Sequence, residues 1–226
     1  MEDINDILAN ADNLNGFNFE DLAAYENQKP TNPKRIPPGT AAGIGMKTRT
    51  TTTTLRRRFY DLSNVPNAIK LIRPLPERNE SIHAIMGGDF AAWDLVPAII
   101  KLAEKAVTKA YIATLGFNTS NSYHLATLIT EKTIGQATVV CSDYFAKADA
   151  TTFREAKTRL EAVGSTLTST RNHAKILALD MGKDCYVVEG SANLRSCNNL
   201  EQITISNSRE LFNFHAAWIS KLTNQC

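Results

Sequence analysis

The chain is poor in the residues that build metal sites and in the apolar runs that cross membranes. Its four cysteines, Cys141, Cys185, Cys197 and Cys226, form no C-x2-C pair and no His/Cys cluster of metal-ligand spacing, so free thiols are expected, with a redox or metal role the open alternative. Cys141 and Cys185 lie in apolar runs and read as small buried hydrophobes with free thiols. No apolar stretch approaches the roughly 20 residues that span a bilayer. The N-terminus is acidic where a secretory signal would be basic and then apolar, so a cytoplasmic chain without a membrane span is expected. No internal repeat is visible. What remains, 226 residues with 43% apolar content, suits one main domain.

The net charge of +2 averages over an uneven distribution. Glu2, Asp3, Asp6, Asp12, Glu20, Asp21 and Glu26 precede the first base, and then Lys29, Lys34, Arg35, Lys47, Arg49, Arg56, Arg57 and Arg58 pass without one acid. Ile4, Ile7, Leu8, Ala11 and Leu14 have helical spacing, so one or two short amphipathic helices are expected before residue 28. From Lys29 to Thr54 the sequence is rich in Pro, Gly and Thr and has little with which to build a core. The basic residues from Lys29 to Arg58, with Lys47, Arg49, Arg56, Arg57 and Arg58 nearest the domain, could neutralise several backbone phosphates of a nucleic acid. Residues 1–80 are therefore read as an acidic segment and a basic linker forming a flexible arm, and 81–226 as the folded domain.

Within that domain strands and helices alternate. Strands are predicted at Ser81–Met86, Ala110–Leu115, Ala137–Cys141, Ser165–Ser169, His173–Leu179, Cys185–Glu189 and Ile203–Ser206. Helices are predicted over Ala91–Val107, Ser122–Lys132, Ala150–Val163, closed by Gly164, and Arg209–Leu222. Asp180–Asp184 reads as a hairpin turn, which makes the second half partly antiparallel. The fold class expected is α/β, a mixed and largely parallel sheet flanked by helices on both faces.

One constellation carries chemistry. His173-x-Lys175-x4-Asp180 is followed by Gly190-Ser191-x-Asn193, which places an imidazole, an ammonium and an amide where they could surround one phosphate. Alternation along an extended segment sends His173 and Lys175 to one side and Ala174 and Ile176 toward the core. The ammonium and amide, with backbone amides near Gly190-Ser191 at the start of a predicted short helix, would offset the charge of a phosphodiester. Arg171 and Arg195 are candidate outer phosphate contacts, and none of His83, His124 or His215 begins a second His-x-Lys pair.

This pattern resembles the HKD motif of the phospholipase D superfamily, with a somewhat long gap between Asp180 and Gly190 that a larger hairpin turn would absorb. The resemblance covers about residues 81–222. It implies phosphodiester cleavage without a metal or other cofactor, through a phosphohistidine on His173. Glu201, at the start of the following strand, would be the carboxylate that orients the ring, and Asp180 would have a structural role. An imidazole cannot attack phosphorus and protonate the leaving oxygen from the opposite side. A single-copy chain of this family therefore implies a homodimer with two His173, two Lys175 and two Asn193 around one site. Small single-copy members are mostly nucleases, which with the basic arm makes nucleic acid, DNA before RNA, the expected substrate. Two other readings stay open. One is a catalytically silent assembly protein of a phage or mobile element, virion-associated and docking a protein partner through residues 1–58. The other is a phospholipase or phosphatidyl transferase.

Overall fold

The computed structural model describes residues 62–195 and 199–223. The helices expected before residue 28, the linker and the arm residues Lys47, Arg49, Arg56, Arg57 and Arg58 lie outside the described residues, as do Cys197 and Cys226.

The strands are β1 (Ser81–Met86), β2 (Lys109–Ala113), β3 (Ala137–Ser142), β4 (Thr166–Thr170), β5 (Ile176–Met181), β6 (Asp184–Gly190) and β7 (Glu201–Asn207). They form one sheet in the order β1-β7-β6-β5-β2-β3-β4. The sheet is mixed, as the alternation implied. Only β2–β3 and β3–β4 pair in parallel, whereas β1–β7, β7–β6, β6–β5 and β5–β2 pair antiparallel. Parallel pairing is thus narrower than expected, because the second half returns through hairpins rather than crossovers. Even so, β1, β2, β3, β4 and β6 share one direction, against β5 and β7.

The helices are α1 (Val65–Ile72), α2 (Leu95–Ala103), α3 (Thr119–Thr130), α4 (Asp143–Ala148), α5 (Ala150–Glu161) and α6 (Arg209–Thr223). Side chains of successive strand residues leave opposite faces. Leu177, Leu179, Val188, Ile203 and Ile205 therefore join α1, α2, α3 and α5 in the larger core, while Ile176, Ala178, Cys185 and Val187 meet Phe212 and Ile219 of α6 on the other face. Each of the large aliphatic side chains contributes roughly 1.5–3 kcal/mol by leaving water. Cys141 and Cys185 are buried free thiols, and burial pushes them up to about 12 and about 11 respectively.

Several boundaries differ from the expectation for identifiable reasons. Helix α1 lies inside the span read as arm, yet Val65, Ala68 and Ile72 are buried in the larger core. The folded part therefore starts before residue 81. The helix expected over Ala91–Val107 is a 3-10 turn, Ala92–Asp94, followed by α2, which stops where Glu104 takes a left-handed φ of 52° and donates its N–H to Ile100 O. Val107 then bridges to Ile134. The hairpin between β5 and β6 is not enlarged. Met181 pairs with Asp184, Gly182 supplies the positive φ of 79° that a two-residue turn needs, and the extra length lies in the strands.

Gly190, at the end of β6, has a packing reason to be glycine: a Cβ there would collide with the Gln202 carbonyl oxygen and crowd Ile203. Gly190→Ala should cost about 1–3 kcal/mol of stability, as overpacking does. Urea denaturation of the two proteins measures this, and equal midpoints would contradict it.

Candidate active site

Because β5 runs against β2, its first residue lies at the edge where β2, β3, β4 and β6 end. Ala113, the last residue of β2, pairs with Ile176, and Glu189, next to the end of β6, pairs with the same residue. Residues 172–175 and 190–194 therefore emerge side by side, at the strand ends where open α/β sheets build sites.

The strand expected from His173 starts only at Ile176, so His173 and Lys175 stand on an arch rather than on the pleat. Asn172 explains the late start. Its side-chain Nδ2 donates to Thr114 O at 2.9 Å and to Val140 O at 3.5 Å, and its Oδ1 accepts from Ala174 N at 3.0 Å. The side-chain amide thus occupies the Thr114 carbonyl, which a longer β5 would have approached with its main chain. The sequence reading passed over Asn172; an Asn placed before the tripeptide as an Asx turn was the available signal.

Within the arch, Lys175 Nζ donates to His173 O at 2.9 Å and lies 3.0 Å from His173 Nδ1 and 3.4 Å from Nε2. Being within reach of both ring nitrogens, the ammonium rests against the ring rather than on the in-plane lone pair of one of them. Lys175 also borders a small cleft with Ala92, Thr114, Gly190 and Ala192. A cation and an imidazole at a partly exposed strand edge can receive an anion.

Ser191 does not begin a helix. Its N–H donates to Gln202 O and its Oγ accepts from Gln202 N, both at 3.0 Å, which prolongs the β6–β7 ladder, and residues 191–195 have no helical turn. The helix N-terminus expected to supply phosphate donors is therefore missing there, because β7 uses the Ser191 amide. The Ser191 hydroxyl donates to Glu201 Oε2, so serine and carboxylate form one unit at the head of β7. Asn193 is half-buried beside Leu194, whose carbonyl accepts from Trp93 N at 3.3 Å. Arg195 is half-buried and Arg171 exposed.

Asp180 lies at the opposite end of β5. Its Oδ1 accepts from Arg209 Nη2 at 2.9 Å and from Gly182 N at 3.0 Å, and Arg209 also donates to Gly182 O. This ties the β5–β6 hairpin to the start of α6. The three other histidines are also engaged. His83 meets Thr204 Oγ1 at 3.1 Å, and His124 accepts at Nδ1 from Trp93 Nε1 and is brought down to about 4 by burial. His215 accepts from Trp218 Nε1 at Nδ1 and meets Glu189 Oε1 through Nε2, both at 3.0 Å. Among the described residues no group of three or more His, Cys, Asp or Glu could hold a metal ion, and no helix is long and apolar enough to cross a membrane.

No family model and no curated protein matches the chain. In fold the chain is similar to Nuc of Salmonella typhimurium, a phospholipase D family member. That similarity has a TM-score of 0.47 at 16% identity and covers 65% of this chain and 96% of Nuc. Polyphosphate kinase from Porphyromonas gingivalis is also similar, with a TM-score of 0.42 and 12% identity over 74% of this chain and 26% of the kinase. So is TrmBL2, an archaeal chromatin protein described as having a novel mode of DNA binding, at 0.37 and 12% over 70% of this chain and 57% of TrmBL2.

The hydrogen bond from Arg209, helped by the Gly182 amide, holds the Asp180 carboxyl below its ordinary value of 3.8. A carboxylate depressed in the folded state stabilises the fold above its unfolded pKa, and that contribution disappears as pH falls through the folded value. Wild-type stability should therefore drop more steeply below pH 3.8 than that of Asp180→Asn, and the variant should be the less stable at pH 7. Urea denaturation over this range checks both statements; parallel curves would count against the tie.

Proposed function

We propose that this chain is a metal-independent phosphodiesterase that acts on nucleic acid through a phosphohistidine intermediate, in a homodimer whose two copies of the site meet. The observation that carries the reading is the arch: the His173 imidazole with the Lys175 ammonium 3.0 Å from its ring, beside the Ser191–Glu201 pair. An anionic phosphodiester repels a nucleophile until its charge is offset. Lys175 supplies that charge, with Asn193 as an amide donor and Arg171 and Arg195 farther out.

On binding, the ammonium turns from the ring to the nonbridging oxygens, and one ring nitrogen keeps its proton toward the Glu201 carboxylate. The other ring nitrogen attacks phosphorus, a P–N bond forms and the P–O bond to the leaving group breaks. The partner subunit's His173 enters protonated, gives that proton to the leaving oxygen and becomes neutral, then takes one from the water that hydrolyses the phosphohistidine. Two observations support a partner as its source. His83 is engaged with Thr204, His124 with Trp93, and His215 with Glu189 and Trp218. The exposed hydrophobics Ile85, Tyr144 and Leu200 lie on segments at the same strand-end edge of the sheet as the arch, where a partner subunit would cover them. The basic run Lys29–Arg58, which includes Lys47, Arg49 and Arg56-Arg57-Arg58, favours DNA or RNA over a lipid.

Hydrolysis of bis(p-nitrophenyl) phosphate and of DNA should persist in excess EDTA and fall by roughly 10³-fold or more in His173→Ala. Activity that disappears with the chelator would refute the metal-independent reading.

If two chains share one site, exchange between wild-type and His173→Ala chains gives inactive mixed dimers. An equal mixture should then retain about a quarter of the wild-type rate per chain rather than half. Sedimentation should report two chains per particle, and a fully active monomer would end the proposal.

A further inference from the structure

The arch has two anchors. One end is Ile176, the first ladder residue of β5, paired with Ala113 and Glu189. The other is not main chain at all. Asn172 reaches Thr114 O at 2.9 Å and Val140 O at 3.5 Å, and returns to Ala174 N at 3.0 Å. Both carbonyls belong to a firm region. Thr114 is buried, its N–H donates to Val140 O at 3.0 Å, and its hydroxyl donates to Gly116 O at 2.9 Å. One planar amide thus fastens the backbone on both sides of His173 to the ends of β2 and β3, leaving the ring projecting from a three-residue span.

We propose that Asn172 is a positioning residue that sets the place and orientation of the His173 imidazole. Its importance for catalysis rests on the phosphodiesterase reading above; its effect on the ring does not. Near-attack geometry tolerates little displacement, and a shift of about 1 Å can cost on the order of 100-fold in rate. Asn is specific here. Asp would keep the acceptor for Ala174 N but set a carboxylate against two carbonyl oxygens, and Ala would remove both ends of the clamp. Lys175 ties the inside of the arch through His173 O, but it travels with the arch and cannot fix it to the sheet.

The test uses the full chain and Asn172→Ala, with two readouts. Steady-state hydrolysis of bis(p-nitrophenyl) phosphate should show kcat reduced about 10- to 100-fold with KM changed less than about threefold. Loss of folded protein alone would instead scale the active fraction, so circular dichroism and the urea midpoint are recorded on the same samples. Independently of activity, NMR should show the His173 Cε1–H signal acquiring fast ring motion and the Ala174 amide exchanging at least about 10-fold faster, with Ile176 unchanged. If wild type hydrolyses the ester and the folded variant keeps its kcat within twofold, the inference fails while the function stands. If wild type is inactive, the functional reading fails and the NMR result alone decides; unchanged ring motion and amide exchange would overturn the positioning role.

Discussion

The site depends on one strand running backwards. β5 lies in the middle of the sheet, antiparallel to β2, so its N-terminus opens at the edge where the parallel strands finish. Were β5 and its hairpin reversed against β2, residues 172–175 and Ser191 would open together at the far edge, away from the ends of β2 and β3. The antiparallel β5–β6 hairpin then brings Gly190-Ser191 back to the same edge, and β7 delivers Glu201 beside it through the Gly190–Ile203 register. Chain direction places an imidazole and an ammonium on one arch, a hydroxyl after β6 and a carboxylate at the head of β7 together at one edge of the sheet.

That arrangement holds only if both ends of the hairpin are fixed. At the site end glycine lets β6 and β7 approach so closely that Ser191 bonds Gln202 through backbone and hydroxyl alike. At the far end Asp180 pairs with Arg209 at 2.9 Å, and Asp184 pairs with Lys105 at 2.7 Å while accepting from Asn207. Exposed ion pairs contribute little to stability by themselves. Here their effect is geometric, because they join the hairpin to α6 and to the segment after α2. Between the ends, the alternation of Ile176 and Ala178 against Leu177 and Leu179 fixes register, since a one-residue slip would exchange the two cores.

Much of this was legible because burial leaves a period. The strand runs around Ile82, Ile112, Val139, Leu177, Val187 and Ile205 and the helix bodies of α3, α5 and α6 follow from apolar spacing, and Gly164, with φ of 73°, marks the stop after α5. Three features were hidden for physical reasons. α1 has only a short apolar stripe, Val65, Ala68 and Ile72, downstream of an arginine run and close to proline, so local composition outweighs it. The start of β5 was misplaced because periodicity cannot register a side-chain amide taking ladder carbonyls. The amide of Ser191 reads as a phosphate donor until β7 is placed beside it, and strand order is a long-range property. Residue types and spacing around His173 could be read locally; the partners of each group could not.

The same distinction separates a framework from a reactive centre. Lys175 rests on the imidazole and Glu201 on the Ser191 hydroxyl, so each charged group has a local neighbour that a bound phosphate would replace or rearrange. Such contacts limit the cost of holding a cation and an anion ready at a strand edge, because neither faces an uncompensated environment before substrate arrives. They also set the order of events. In the proposed reaction the anion draws the ammonium off the ring as it binds, which couples nucleophile activation to charge neutralisation. A fixed arch makes that exchange a movement of side-chain tips rather than of backbone, and this is why the anchoring of residues 172–176 matters as much as the identity of His173.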